Sequence, residues 1–112
     1  MKPLKVGEAL QQARRLLESG KVRLTTHISD RMTELDFQIR DVTYCFQVGK
    51  IYTKPVWDSH HKAWKYVVEG KDIEGRKLSI VFAFDEDAIV LITGVREKGF
   101  YALSARRRKD EG

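Results

Sequence analysis

A chain of 112 residues, 42% hydrophobic and 33% charged, is long enough to bury one core without metal or disulfide staples, and too apolar for a disordered tract. It has no apolar run near the roughly 20 residues of a bilayer-crossing helix. Its opening MKPLKVGEAL lacks the apolar stretch of a signal peptide, so a membrane partner is excluded and one soluble domain over 1–112 is expected.

VGEALQQARRLLESG (6–20) is the clearest helix. Val6, Ala9, Leu10, Ala13, Leu16 and Leu17 recur at three-four spacing and so fall on one face. Gly20 supplies the left-handed position that closes a helix, since it has no Cβ to clash there. VRLTT (22–26) is expected as a short extended link. A second helix starts at Thr25 or Thr26, whose hydroxyl can accept from an orphan N–H of the first turn. It turns Ile28, Met32 and Leu35 inward. QIRDVTYCFQVG (38–49) gives a third, with Ile39, Val42, Cys45 and Phe46 buried and Gly49 closing it. Cys45, the one cysteine, cannot form an internal disulfide, so a reducing cytoplasm is the expected compartment. Its place on an apolar face marks it as packing.

From Lys50 the period falls to two. IYTKPVW, AWKYVVEG, RKLSIVFAF and AIVLITGV are rich in β-branched and aromatic residues, as strands are. The breaks DSHHK, KDIEG and DED are too short for a parallel return, which needs a crossover of about a dozen residues, so they imply antiparallel hairpins. Pro55 cannot donate a ladder bond and puts the first strand at an edge. The last two strands, apolar on both faces, belong inside the sheet. FYALSA (100–105) reads equally as an edge strand or a helical turn. The fold class expected is α+β, N-terminal helices packed on a four-stranded antiparallel meander.

The net charge is +5. Residues 96–112 hold six Lys and Arg, Arg106 and Arg107 among them, against three acids. This basic, partly flexible tail suits a polyanion such as nucleic acid, or is simply a solvated terminus.

TTHISDRM (25–32) carries the candidate chemistry. His27 and Arg31 sit at i and i+4, on one helix face, so both can reach a single phosphate. Histidine can act as acid or base near neutrality, and the arginine fork binds two phosphate oxygens. Lys65 or Tyr66 on a facing strand and Thr93 on the last strand can complete such a pocket. Arg96 can bind phosphate or be an ordinary surface charge. The plain account of His27 and Arg31 is a solvated helix face; that of Tyr66 is core, and that of Thr93 strand propensity. Asp58, His60 and His61 invite a metal reading, but consecutive strand residues point to opposite faces and no second ligand cluster exists, so a hairpin tip is expected and no metal. Trp57, Trp64 and Tyr66, interleaved with Lys54, Lys62 and Lys65, form either a stacking platform for unpaired bases or a cross-strand packing group.

The order HISDRMTELDFQIRDV, then AWKYVVEGKDIEGRKLSIVFAF, then AIVLITGV resembles the domain of unknown function 4258 family. The matching positions are His27, Arg31, Met32, Asp41, Val42, Tyr66, Val68, Gly70, Gly75 and Thr93. Where that family often carries a second arginine and a glycine after its first helix, this chain has Leu35 and Asp36. The family's layout is similar to the RelE-like and barnase-like fold group, many of whose members are metal-independent ribonuclease toxins. The resemblance implies an RNA-cleaving or RNA-binding cleft with His27 as acid/base, Arg31 as phosphate clamp and Thr93 beside them, no cofactor, and RNA or an antitoxin-like protein as partner. The alternative is a non-catalytic module that binds nucleic acid or protein.

Overall fold

The computed structural model describes residues 2–96. The helical periods form α1 (Val6–Glu18), α2 (Thr26–Glu34) and α3 (Ile39–Val48). Between and after them run strands β1 (Val22–Leu24), β2 (Val56–Asp58), β3 (Ala63–Lys71), β4 (Lys77–Asp85) and β5 (Ala88–Val95). Gly20 takes φ +76° just past α1, and the Thr25 hydroxyl caps α2 by accepting from the Ile28 N–H at 3.1 Å.

The sheet has five strands in the order β1-β5-β4-β3-β2, and this corrects the expected four-stranded antiparallel meander. The added strand is residues 22–24, expected to be a link. It lies parallel to β5, with Val22 opposite Ile89 and Leu24 opposite Leu91. Three residues give little periodicity to read, and their ladder partners lie more than sixty positions away. The three hairpins from β2 to β5 are antiparallel, as the short breaks require. β2 starts only after Pro55 and lies at the edge, while β4 and β5 are both internal.

Alternation along β3, β4 and β5 sorts their side chains onto two faces. Tyr66, Val68, Leu78, Ile80, Phe82, Ile89 and Leu91 join the core with Ala9 and Ala13 of α1, Ile28 of α2 and Phe46 of α3. The Phe46 ring meets Phe82 edge-on at 4.9 Å. Lys65, Val81, Ala83, Val90 and Thr93 alternate onto the opposite face. Two expected core positions fail: Val6 and Ile39, each in the first turn of its helix, are exposed. Helix α3 approaches β3 very closely. A Cβ on Gly70 would stand 2.8 Å from the Cys45 carbonyl oxygen.

Candidate functional site

Helix α2 leans on β5 through Arg31, whose Nε donates to the Gly94 carbonyl at 3.2 Å. Its Nη1 lies 3.6 Å from the Glu34 carboxylate. A guanidinium expected as a phosphate clamp thus joins a helix to a strand end. Thr93 is next to the carbonyl that Arg31 holds, so the structure does bring Arg31 and the end of β5 together. His27 is exposed and makes no hydrogen bond or ion pair among the described residues. The two cavities described below are lined by none of His27, Arg31 and Thr93.

Tyr66 belongs to the core and is 2% exposed. Its ring stacks on Phe82 at 5.5 Å, and its hydroxyl donates to the Leu4 carbonyl at 3.0 Å. Tyr66 pairs with Phe82 and Thr93 with Val81. Since Phe82 and Val81 are consecutive in β4, the two side chains lie on opposite faces of the sheet. They do not line one cleft.

Arg96 is neither an open phosphate ligand nor a free surface charge. Its Nε donates to the Leu35 carbonyl at 2.6 Å, its Nη2 to the Asp36 carbonyl at 2.8 Å and its Nη1 to Asp72 at 2.7 Å. Asp72 is fully buried and also accepts from the Arg76 backbone N–H at 2.8 Å and from Arg76 Nε at 3.0 Å. Burial pushes the Asp72 carboxyl up, but these hydrogen bonds and the two guanidinium charges outweigh it and hold it below the usual carboxylate range. The cluster ties the α2–α3 turn, the β3–β4 turn and the end of β5 together.

The hairpin between β2 and β3 holds Asp58, His60 and His61. Asp58 Oδ1 accepts the backbone N–H groups of His60 and His61 at 3.0 and 3.3 Å. Its Oδ2 accepts from Lys65 Nζ and His61 Nδ1, each at 2.8 Å. The side-chain bonds from Lys65 and His61 hold the Asp58 carboxyl well below the usual range. An ionised carboxylate only accepts, so Nδ1 of His61 carries the hydrogen and Nε2 is left for other contacts. This is a hairpin tip, as expected, but a tip with an oriented histidine. The available sequence signal was Asp58 followed by His61 at three residues and Lys65 at seven, a spacing that converges only once the chain turns back.

Beside this tip a cavity of about 340 Å³ opens on the sheet. Ala63, Ala83, Phe84, Val90 and Ile92 line it together with Thr25, the cap of α2, and His61, Lys62, Lys65 and Asp85 complete the lining. Lys65 is here, while Tyr66 and Arg96 are not among the lining residues. A second cavity, about 420 Å³, lies where Tyr44, Val48 and Tyr52 meet Glu69, Lys71 and Lys77 at the other end of β3.

The family model described as domain of unknown function (DUF4258) matches residues 24–94. The chain belongs to the DUF4258 family. The match takes in α2, α3, β2, β3, β4 and nearly all of β5, and leaves α1 outside. No curated protein and no solved structure matches the chain.

Within this DUF4258 chain, the departure at Leu35 and Asp36 acquires a physical account. Asp36 adopts φ +53°, in the left-handed region where aspartate is among the tolerated residues. The carbonyls of Leu35 and Asp36 in this turn receive Arg96. Arg106 and Arg107 lie outside the described residues. No helix among the described residues is long and apolar enough to cross a membrane.

Proposed function

We propose that this DUF4258 protein binds single-stranded RNA, in a reducing cytoplasm, through its β2–β3 hairpin. The observation that carries the reading is Trp57. It pairs across the strands with Trp64, ring centroids 5.3 Å apart and tilted by 60°, yet remains 43% exposed. Cross-strand packing and an open stacking face are thus compatible in the same residue. Lys54 and Lys62 of the same hairpin carry no ion pair among the described residues, and a base on Trp57 would place its phosphates within reach of such free cations. The net charge of +5, with Arg106 and Arg107 in the tail, supports a polyanionic partner, and the RelE-like resemblance makes RNA the polymer of choice.

Binding is favoured over cleavage at α2 because Arg31 and Arg96 already donate to main-chain oxygens. Anisotropy of a fluorescent oligouridine tests the reading. Stacking contributes about 1–3 kcal/mol per base, so Trp57→Ala is expected to weaken binding roughly tenfold, and affinity should fall steeply with salt. Unchanged affinity in Trp57→Ala, or salt-insensitive binding, overturns it and favours a protein partner, antitoxin-like or otherwise.

Cleavage with His27 as acid/base is the second reading, supported by the exposed imidazole on the helix of Arg31. Mixed RNA incubated with the protein and with His27→Ala decides it: cleavage lost in the variant supports this reading, and equal cleavage or none in both removes it.

A further inference from the structure

The geometry points to the cavity beside the hairpin tip as a pocket for one nucleoside phosphate, with the base against the alanine-lined sheet and the phosphate at His61 and Lys62. Three features converge. Ala63 at the start of β3 and Ala83 of β4 carry no long side chain, and with Phe84, Val90 and Ile92 they leave an apolar surface suited to a planar ring. At about 340 Å³ the space is at the lower end of small-ligand pockets, roughly 300–1000 Å³.

The polar side of the pocket is built rather than incidental. Asp58 fixes the His61 ring through Nδ1 and draws Lys65 Nζ to the same oxygen. Nε2 is thereby the ring atom left to meet a phosphate, donating to its oxygen as the imidazolium or accepting from a phosphate O–H as the neutral ring. Asp85 is paired with Arg23 and Asp58 with Lys65, so the charge of Lys62 is left over for an anion. Lys62 sits at φ +50°, a left-handed residue that closes the tip directly after His61. An apolar floor beside an uncompensated cation fits an aromatic base joined to a phosphate better than it fits either alone.

The inference deepens the RNA-binding reading and takes from it the choice of a nucleotide over other aromatic anions. The nucleotide would be a free monophosphate or the terminal residue of a strand, which share this chemistry.

Amide shifts of the full chain on titration with uridine 5′-monophosphate, uridine and inorganic phosphate test it, with an oligouridine carrying or lacking a 5′-phosphate as the strand arm. The expected result is saturable shifts at Ala63, Lys65, Ala83 and Val90 with the monophosphate, at least fivefold weaker with uridine or phosphate. His61→Gln and Lys62→Gln should each weaken the monophosphate at least threefold. Lys62 is exposed and outside the Asp58 network, so that variant leaves the fold intact. A strand preferring its 5′-phosphorylated form by a similar factor identifies the terminal residue as the source; equal affinity of the two strands with monophosphate binding retained identifies the free nucleotide. Phosphate binding as tightly as the monophosphate, shifts confined to other residues, or full affinity in Lys62→Gln overturns the pocket. Oligouridine binding that needs Trp57 while these four amides stay still overturns the pocket and leaves the RNA reading standing. Monophosphate binding without oligouridine binding does the reverse.

Discussion

Asp72 and Arg96, twenty-four residues apart, meet at 2.7 Å with the carboxylate fully buried. A buried carboxylate survives only with its charge answered, and here Arg96 and Arg76 answer it. Leaving one of the pair uncompensated costs about 3–5 kcal/mol. Arg96→Ala is therefore expected to lower the urea midpoint strongly at unchanged slope, while Arg76→Ala, which removes the more exposed partner, should cost less. Equal and small losses would show that the cluster does not secure the end of β5.

The same pair sets an acid limit. The Asp72 carboxyl is held below its ordinary value in the folded state. Its contribution is therefore fully present above the ordinary carboxylate range near pH 4, and is lost as the pH falls through that range towards the depressed folded value. Unfolding followed between pH 7 and pH 3 should steepen at the acid end. In Asp72→Asn the stability should be lower at pH 7 and its acid slope shallower; an unaltered slope would assign the acid sensitivity to other carboxylates.

Cys45 has no exposed surface and its Sγ contacts the Leu78 carbonyl at 3.2 Å. Burial first, then the charges of Asp72 and Glu69, push the thiol up to about 12. Since the thiolate is the reactive form, iodoacetamide at pH 8 should leave the native protein unmodified over hours and label it fully in guanidinium. Rapid native labelling would show that the α3–β3 contact opens.

That contact leaves no room for a methyl group. A Cβ on Gly70 would also stand 3.0 Å from Gly49 Cα and 3.1 Å from the Cys45 sulfur. Overpacking of this kind typically costs about 1–3 kcal/mol. Gly70→Ala should fall at the upper end of that range, because two of the three neighbours are backbone. A thermal midpoint within one degree of the parent would contradict the packing.

Tyr66→Phe separates a core tyrosine from a ligand-binding one. It removes the bond to the Leu4 carbonyl, and a typical hydrogen bond is worth about 1 kcal/mol. The expected outcome is a modest loss of stability with RNA affinity unchanged; affinity lost at intact stability would return Tyr66 to the binding surface.

The elements of the fold were legible where a single periodicity filled a long segment. Helix α1 announced itself through six apolar residues on one face, Thr25 through its position before an apolar run, and the β2 edge through Pro55. Val6 and Ile39 misled because periodicity places a residue on a face without saying whether another element reaches that end of the helix. The candidate site was less legible. Lys65 is legible by type and DSHHK as a hairpin tip, but nothing local shows that Asp58, His61 and Lys65 converge. In the hairpin the chain reverses between Asp58 and Lys65, and one carboxylate gathers His61 and Lys65.

The sequence by itself determined the helices, the antiparallel hairpins, the family motif and the excess of positive charge, because each is a local pattern or a sum. Only the tertiary structure decided which cations remain free. Arg31 reaches Gly94 across 63 positions and Arg96 reaches Leu35 across 61, and nothing in the local sequence distinguishes an arginine bound for a carbonyl from one left for a phosphate. The parallel strand at 22–24 was hidden for the same reason. A three-residue strand is defined by the ladder it joins, and that ladder is made by residues at the other end of the domain.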